Sequence, residues 1–133
     1  MAGYSGTPLA RKLGIKAESA VLPINAPTDY RKLLAPLPEG VRFISQASEA
    51  HIVHLFTARK AELHKTLRDL RHKIRPDSAV WVSWPKKAAK QPTDITEDTI
   101  REVALPMGYV DIKVAAFDDV WSALKLVIRK ELR

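Results

Sequence analysis

Eight residues, Val80-Trp81-Val82-Ser83-Trp84-Pro85-Lys86-Lys87, bring a hydroxyl, two indoles and two ammonium groups to one point in the chain. Such a set can stack a planar group on an aromatic face and neutralise phosphate with the lysines. The apolar, β-branched and aromatic part reads as a buried strand. In open α/β sheets, ligands bind just outside the carboxyl ends of the strands. Ser83, Trp84, Lys86 and Lys87 are therefore a candidate anion or nucleotide site. The competing reading is a core tryptophan followed by two solvated loop lysines. Trp81 lies three residues before Trp84, so it faces the other side of the sheet and reads as core.

Asn25, after the first strand, and Asp118-Asp119, after the fifth, open on the same edge and extend the candidate site. With Asp94, the aspartates could do acid–base work beside the lysines. Equally, Asp94 could cap a helix and Asp118-Asp119 could form a polar turn. Ser83 as a nucleophile lacks an identifiable base or a strained glycine elbow. His51 and His54 suggest a metal pair, but residues i and i+3 of a strand point to opposite faces. The sequence has no cysteine, which removes disulfides and thiolate ligands. No catalytic residue, metal or cofactor is assigned.

The elements that must position these residues can be read from pattern. Thr7, Pro8 and Gly14 bracket a short helix. Strand one runs from Ser19 to Ile24, and Thr28 then caps a short helix carrying Tyr30, Leu33 and Leu34. Strand two is Val41 to Ser45 and strand three is His51 to Phe56. A long helix spans roughly Ala58 to Ile74, with Leu63, Leu67, Leu70 and Ile74 as its buried stripe. A further helix, capped by Asp94 or Thr96, turns Ile100, Val103, Ala104 and Met107 inward. Strand five, Val110 to Phe117, and a final strand, Ser122 to Arg129, are joined too tightly for a parallel crossover and read as antiparallel. Only five residues separate strands two and three. Either the two strands form an antiparallel pair or, as is preferred, they are not neighbours, since five extended residues reach about 17 Å and can run back across the sheet.

The chain has 133 residues, 46% hydrophobic and 28% charged, with a formal net charge of +7. That fits one globular domain spanning residues 1–133, and the charge favours anionic partners. No apolar run approaches the ~20 residues of a membrane span. The segment Met1 to Gly6 lacks an apolar signal, so a cytoplasmic location is expected. On the long helix, Arg59, Lys60, Lys65, Arg68, Arg71, Lys73 and Arg75 outweigh Glu62 and Asp69. Nucleic acid could use this face, but no aromatic interrupts the basic row and no binding motif is present, so a solvated face is favoured.

Three segments carry a resemblance over nearly the whole chain. They are Gly3-Tyr4-Ser5-Gly6-Thr7-Pro8-Leu9 with Lys12 to Ile15, the Trp81 to Lys87 run with Thr93-Asp94, and Val110 to Val114 with Trp121 to Lys125. Together they resemble a bacterial family catalogued as a domain of unknown function, number 3052. The chain departs from that family at Ala123 and Ser78, where members more often carry glycine. The element order, with Gly108-Tyr109-Val110-Asp111 before the last hairpin, is similar to a class I methyltransferase lacking one strand–helix unit. Such enzymes place a glycine-rich turn after strand one. Here that turn is Asn25-Ala26-Pro27-Thr28, without glycine and with one N–H missing at proline.

The expected fold is α/β, a Rossmann-like three-layer sandwich with a mainly parallel sheet and a C-terminal antiparallel hairpin. The expected function is a non-catalytic domain binding a small anion, a nucleotide or a protein partner at the strand-four mouth. A transferase using Ser83, Lys86 and the aspartates is the alternative, and a nucleic-acid-binding accessory protein is the third reading.

Overall fold

Alternation of short apolar strands with amphipathic helices produces one sheet covered on both faces. The computed structural model describes residues 8–133. The proposed Thr7 cap and residues 3–7 of the first motif lie outside that range. The strands are β1 (Ala20–Ile24), β2 (Arg42–Phe43), β3 (Ile52–Phe56), β4 (Ala79–Pro85), β5 (Tyr109–Ala116) and β6 (Trp121–Ile128). The helices are α1 (Leu9–Lys12), α2 (Tyr30–Leu34), α3 (Lys60–Arg71) and α4 (Glu97–Ala104), linked in places by short 3₁₀ turns.

The sheet order is β2-β1-β3-β4-β6-β5. Strand β1 pairs in parallel with both β2 and β3, and β3 pairs in parallel with β4. The chain thus crosses β1 between β2 and β3 through a 3₁₀ turn at Ala47–Glu49, the preferred of the two readings of the short gap. Strand β6 inserts antiparallel between β4 and β5.

Two apolar layers result. Leu63, Leu67 and Leu70 of α3, with Ile74 three residues past its end at Arg71, join Ile100 and Val103 of α4 against Val53, Leu55, Val80, Val82 and Leu124. On the other face, Ala10 and Leu13 from α1 and Tyr30 and Leu34 from α2 pack on Val21, Ile52, Phe56 and Trp81. Period-two alternation along β3 and β4 serves both layers at once.

Two caps differ from expectation, at Thr28 and Asp94, while the Thr96 alternative for α4 holds. Asp29, not Thr28, occupies the N-cap position of α2, without a side-chain bond. Thr96 caps α4 in a reciprocal box with Thr99. Asp94 serves a different helix: its Oδ1 accepts the Lys60 N–H at the start of α3, at 2.6 Å. Gly14 closes α1 with φ of 80°, a conformation glycine reaches without a Cβ penalty.

Candidate functional site

The carboxyl ends of β1, β3, β4 and β5 share one edge of the sheet, and the loops leaving them build the candidate site. After β1, Asn25 is exposed and left-handed, with φ of 57°. Two depressions flank this end. One, of about 590 Å³, is lined by Leu22, Pro23, Phe43, Ile44, Ser45, Gln46 and Glu49. The other, of about 570 Å³, runs from Pro23 and Ala26 past Asp29 and Tyr30 to Arg31, Lys32 and Phe43. The Arg31 guanidinium carbon lies 4.4 Å from the Phe43 ring centre. Neither lining includes Lys86 or Lys87.

At the mouth of β4 the sequence motif divides. Trp84 is 8% exposed and belongs to the α3–α4 layer with Ile95 and Ile100. Its ring is a core group, not an open stacking surface. Ser83 turns to the opposite face and is fully buried. Trp81 is also fully buried, its indole N–H donating to the Leu13 carbonyl at 3.0 Å. Lys86 is half-buried and Lys87 is exposed. No carboxylate lies within ion-pair distance of either among the described residues.

The β5–β6 hairpin turn adjoins this mouth. The Lys86 N–H donates to the Val120 carbonyl at 2.7 Å. Asp118 is part of the turn itself, its Oδ1 accepting the N–H groups of Val120 and Trp121, both at 2.8 Å. Asp119 is exposed. The fold therefore brings Lys86, Lys87, Asp118 and Asp119 to one region, with Asn25 two strands away across β3.

Ser83 does have a base. His54 Nε2 stands 2.6 Å from Ser83 Oγ, and His54 Nδ1 stands 2.8 Å from the Tyr30 hydroxyl. From sequence, His54 enters only as half of a metal pair and Tyr30 only as a residue of the short second helix. The available signal was an imidazole in the apolar strand Ile-Val-His-Leu-Phe, which must find buried partners. His51, by contrast, is exposed and accepts the Ala20 N–H at 2.9 Å.

The surroundings of His54 decide what this chain of groups can do. Its ring stacks on Phe56 at 4.2 Å and meets Phe117 edge-on at 5.2 Å. Burial pushes the imidazole down to about 3 and raises the Tyr30 phenol well above its usual range. All three groups are neutral near pH 7, and each imidazole nitrogen has a partner. Either tautomer completes the chain, with Tyr30 or Ser83 donating to the bare nitrogen. No buried side-chain polar atom among the described residues lacks a partner. The polar chain is thus satisfied internally and ties α2, β3 and β4 together beneath the aromatic layer.

The Gly108 to Asp111 segment is also engaged structurally. Gly108 is left-handed, the Tyr109 hydroxyl donates to the Leu67 carbonyl at 2.7 Å, and Asp111 pairs with Arg101 at 2.9 Å. Arg101 also pairs with Glu97 and Asp98. Its hydrogen bond holds the Asp111 carboxyl below the usual range. Among the described residues, no group of three His, Asp or Glu side chains could hold a metal ion, and no helix is long and apolar enough to cross a membrane.

No family model and no curated protein sequence matches the chain. Solved structures do. An S-adenosylmethionine-dependent methyltransferase from Aquifex aeolicus superposes with a TM-score of 0.65 at 10% identity, covering 91% of this chain and 88% of that one. The B. subtilis tRNA methyltransferase TrmK gives 0.57 at 11% identity, over 96% and 68%. A possible exported protein from Bordetella parapertussis gives 0.66 at 8% identity, over 91% and 66%. At these identities the likeness establishes the fold, a methyltransferase-like Rossmann sheet, and nothing finer.

Proposed function

We propose that this chain is a non-catalytic, methyltransferase-like domain that binds a small anionic ligand at the mouth of β4. The observation that carries the reading is the pairing state of Lys86 and Lys87. Among the described residues, these two adjacent cations at a strand's carboxyl end have no carboxylate partner, and Asp118 beside them is committed to its turn. An anion there gains charge-assisted hydrogen bonds without displacing an existing ion pair. The Asn25-Ala26-Pro27-Thr28 turn supports the rest of the proposal. It lacks the glycine that lets backbone approach a nucleoside cofactor, and Pro27 offers no N–H.

Thermal-shift measurements with nucleotides and phosphorylated metabolites, at constant ionic strength, test this directly. A ligand that binds only the folded chain raises its apparent stability. Lys86→Ala with Lys87→Ala should abolish that gain and leave the unliganded midpoint nearly unchanged. A retained gain in the double variant would refute the site.

A second reading draws on Ser83 and His54, whose spacing suits a nucleophile and its base. It requires the Tyr30–Phe117 layer to open, because Ser83 is fully buried. A serine-reactive fluorophosphonate separates the two. The non-catalytic reading expects no labelling of Ser83, whereas labelling lost in His54→Gln would establish the enzyme.

A further inference from the structure

Strands β5 and β6 place two lysines directly opposite each other, Lys113 against Lys125. Like charges at opposed positions destabilise an antiparallel pair. The arrangement follows from a bulge between Asp111 and Lys113. The extra residue leaves Asp111 on the α4 face, where Arg101 holds it, and moves Lys113 to the α1 face beside Lys125. Lys125 is the register partner of Trp81, which belongs to that same face.

The helix side adds a third cation. A Cβ placed on Gly14 would lie 3.9 Å from Lys125 Nζ, so this ammonium sits against the end of α1, close in sequence to Lys16. Burial, then Lys113 and Lys16, make Lys125 harder to protonate, and no acid offsets them. Among the described residues none of the three lysines makes an ion pair, and residues 1–7 contain no Asp or Glu. Beside them, a depression of about 570 Å³ is lined by Arg11, Gly14, Ile15 and Lys16 with Pro8, Pro36 and Pro38.

We infer that Lys16, Lys113 and Lys125 bind the phosphate group of a small molecule on the α1 face of the sheet. A dianion placed among three ammonium groups converts mutual repulsion into attraction, and the adjoining depression has room for the rest of the ligand. This site is separate from the β4 mouth. Lys125 pairs with Trp81 while Trp121 pairs with Pro85, a separation of four residues, or about 13 Å along the strand.

Inorganic pyrophosphate is the probe, titrated at constant ionic strength while thermal unfolding and backbone amide shifts are followed. The midpoint should rise by several degrees, with the largest amide changes at Gly14, Lys113 and Lys125. Lys125→Met should abolish the rise without lowering the unliganded midpoint, because it also removes the repulsion. Lys113→Glu, which supplies an internal counter-charge, should do the same. The Lys86→Ala, Lys87→Ala double variant should keep these amide changes. A wild-type chain indifferent to pyrophosphate, or an undiminished response in Lys125→Met, would overturn the inference. So would a response lost only in the double variant, which would leave the β4-mouth proposal standing.

Discussion

His54 Nε2 and Ser83 Oγ lie 2.6 Å apart across the β3–β4 pair, both fully buried. Their contact accounts for a serine at a strand position otherwise filled by apolar residues. It also gives the hydroxyl of the β4 motif a role inside the fold. Ser83→Ala should cost ~1–3 kcal/mol, the usual penalty when a buried polar partner is left unsatisfied. Urea unfolding measures it, and a change within half a kcal/mol would show that the bond contributes nothing.

Acid sensitivity follows from the same imidazole. His54 is held near 3 in the folded chain against an ordinary value of 6.5. Between those values the unfolded chain binds the extra proton, so this contribution is present above pH 6.5 and is lost as pH falls. The slope approaches about 1.4 kcal/mol per pH unit. Urea unfolding between pH 7 and 5 should show this component in the wild type and not in His54→Gln. Equal slopes in both would place the histidine outside the buried layer.

The two aspartates of the hairpin should behave differently. Asp118→Ala removes the acceptor for two turn N–H groups and should destabilise by about 1–2 kcal/mol. Asp119 is exposed, and Asp119→Ala should stay within roughly half a kcal/mol of wild type. Equal losses from the two would contradict the turn geometry.

Leu67 lies at the centre of the α3 stripe and is fully buried. Leu67→Ala should cost ~2–5 kcal/mol in chemical denaturation. A cost under half a kcal/mol would mean that the stripe does not face the sheet.

Much of the fold was legible because it rests on local periodicity. The α3 leucines repeat at helical spacing, β3 and β4 are short apolar runs, and the five-residue gap after β2 favoured strands that are not neighbours. What escaped depends on residues far apart in sequence. Tyr30, His54 and Ser83 meet over separations of 24 and 29 residues, which no local pattern encodes. Asp94 has capping spacing toward Glu97, yet it caps α3, 34 residues away from it at Lys60. Trp84 sits at a strand end, where an open stacking surface and a core position are both compatible with the sequence. Its burial depends on the loop before α4 folding so that Ile95 joins the same layer.

A methyltransferase-like sheet that serves anion binding without the methyl-donor cofactor, as proposed, should leave S-adenosylmethionine unbound. Calorimetric titration of the purified chain with S-adenosylmethionine tests this most directly. No saturable heat is expected, because Asn25-Ala26-Pro27-Thr28 stands where a glycine-rich turn would be needed. Saturable binding at micromolar concentration would contradict the claim and make an enzyme the better reading.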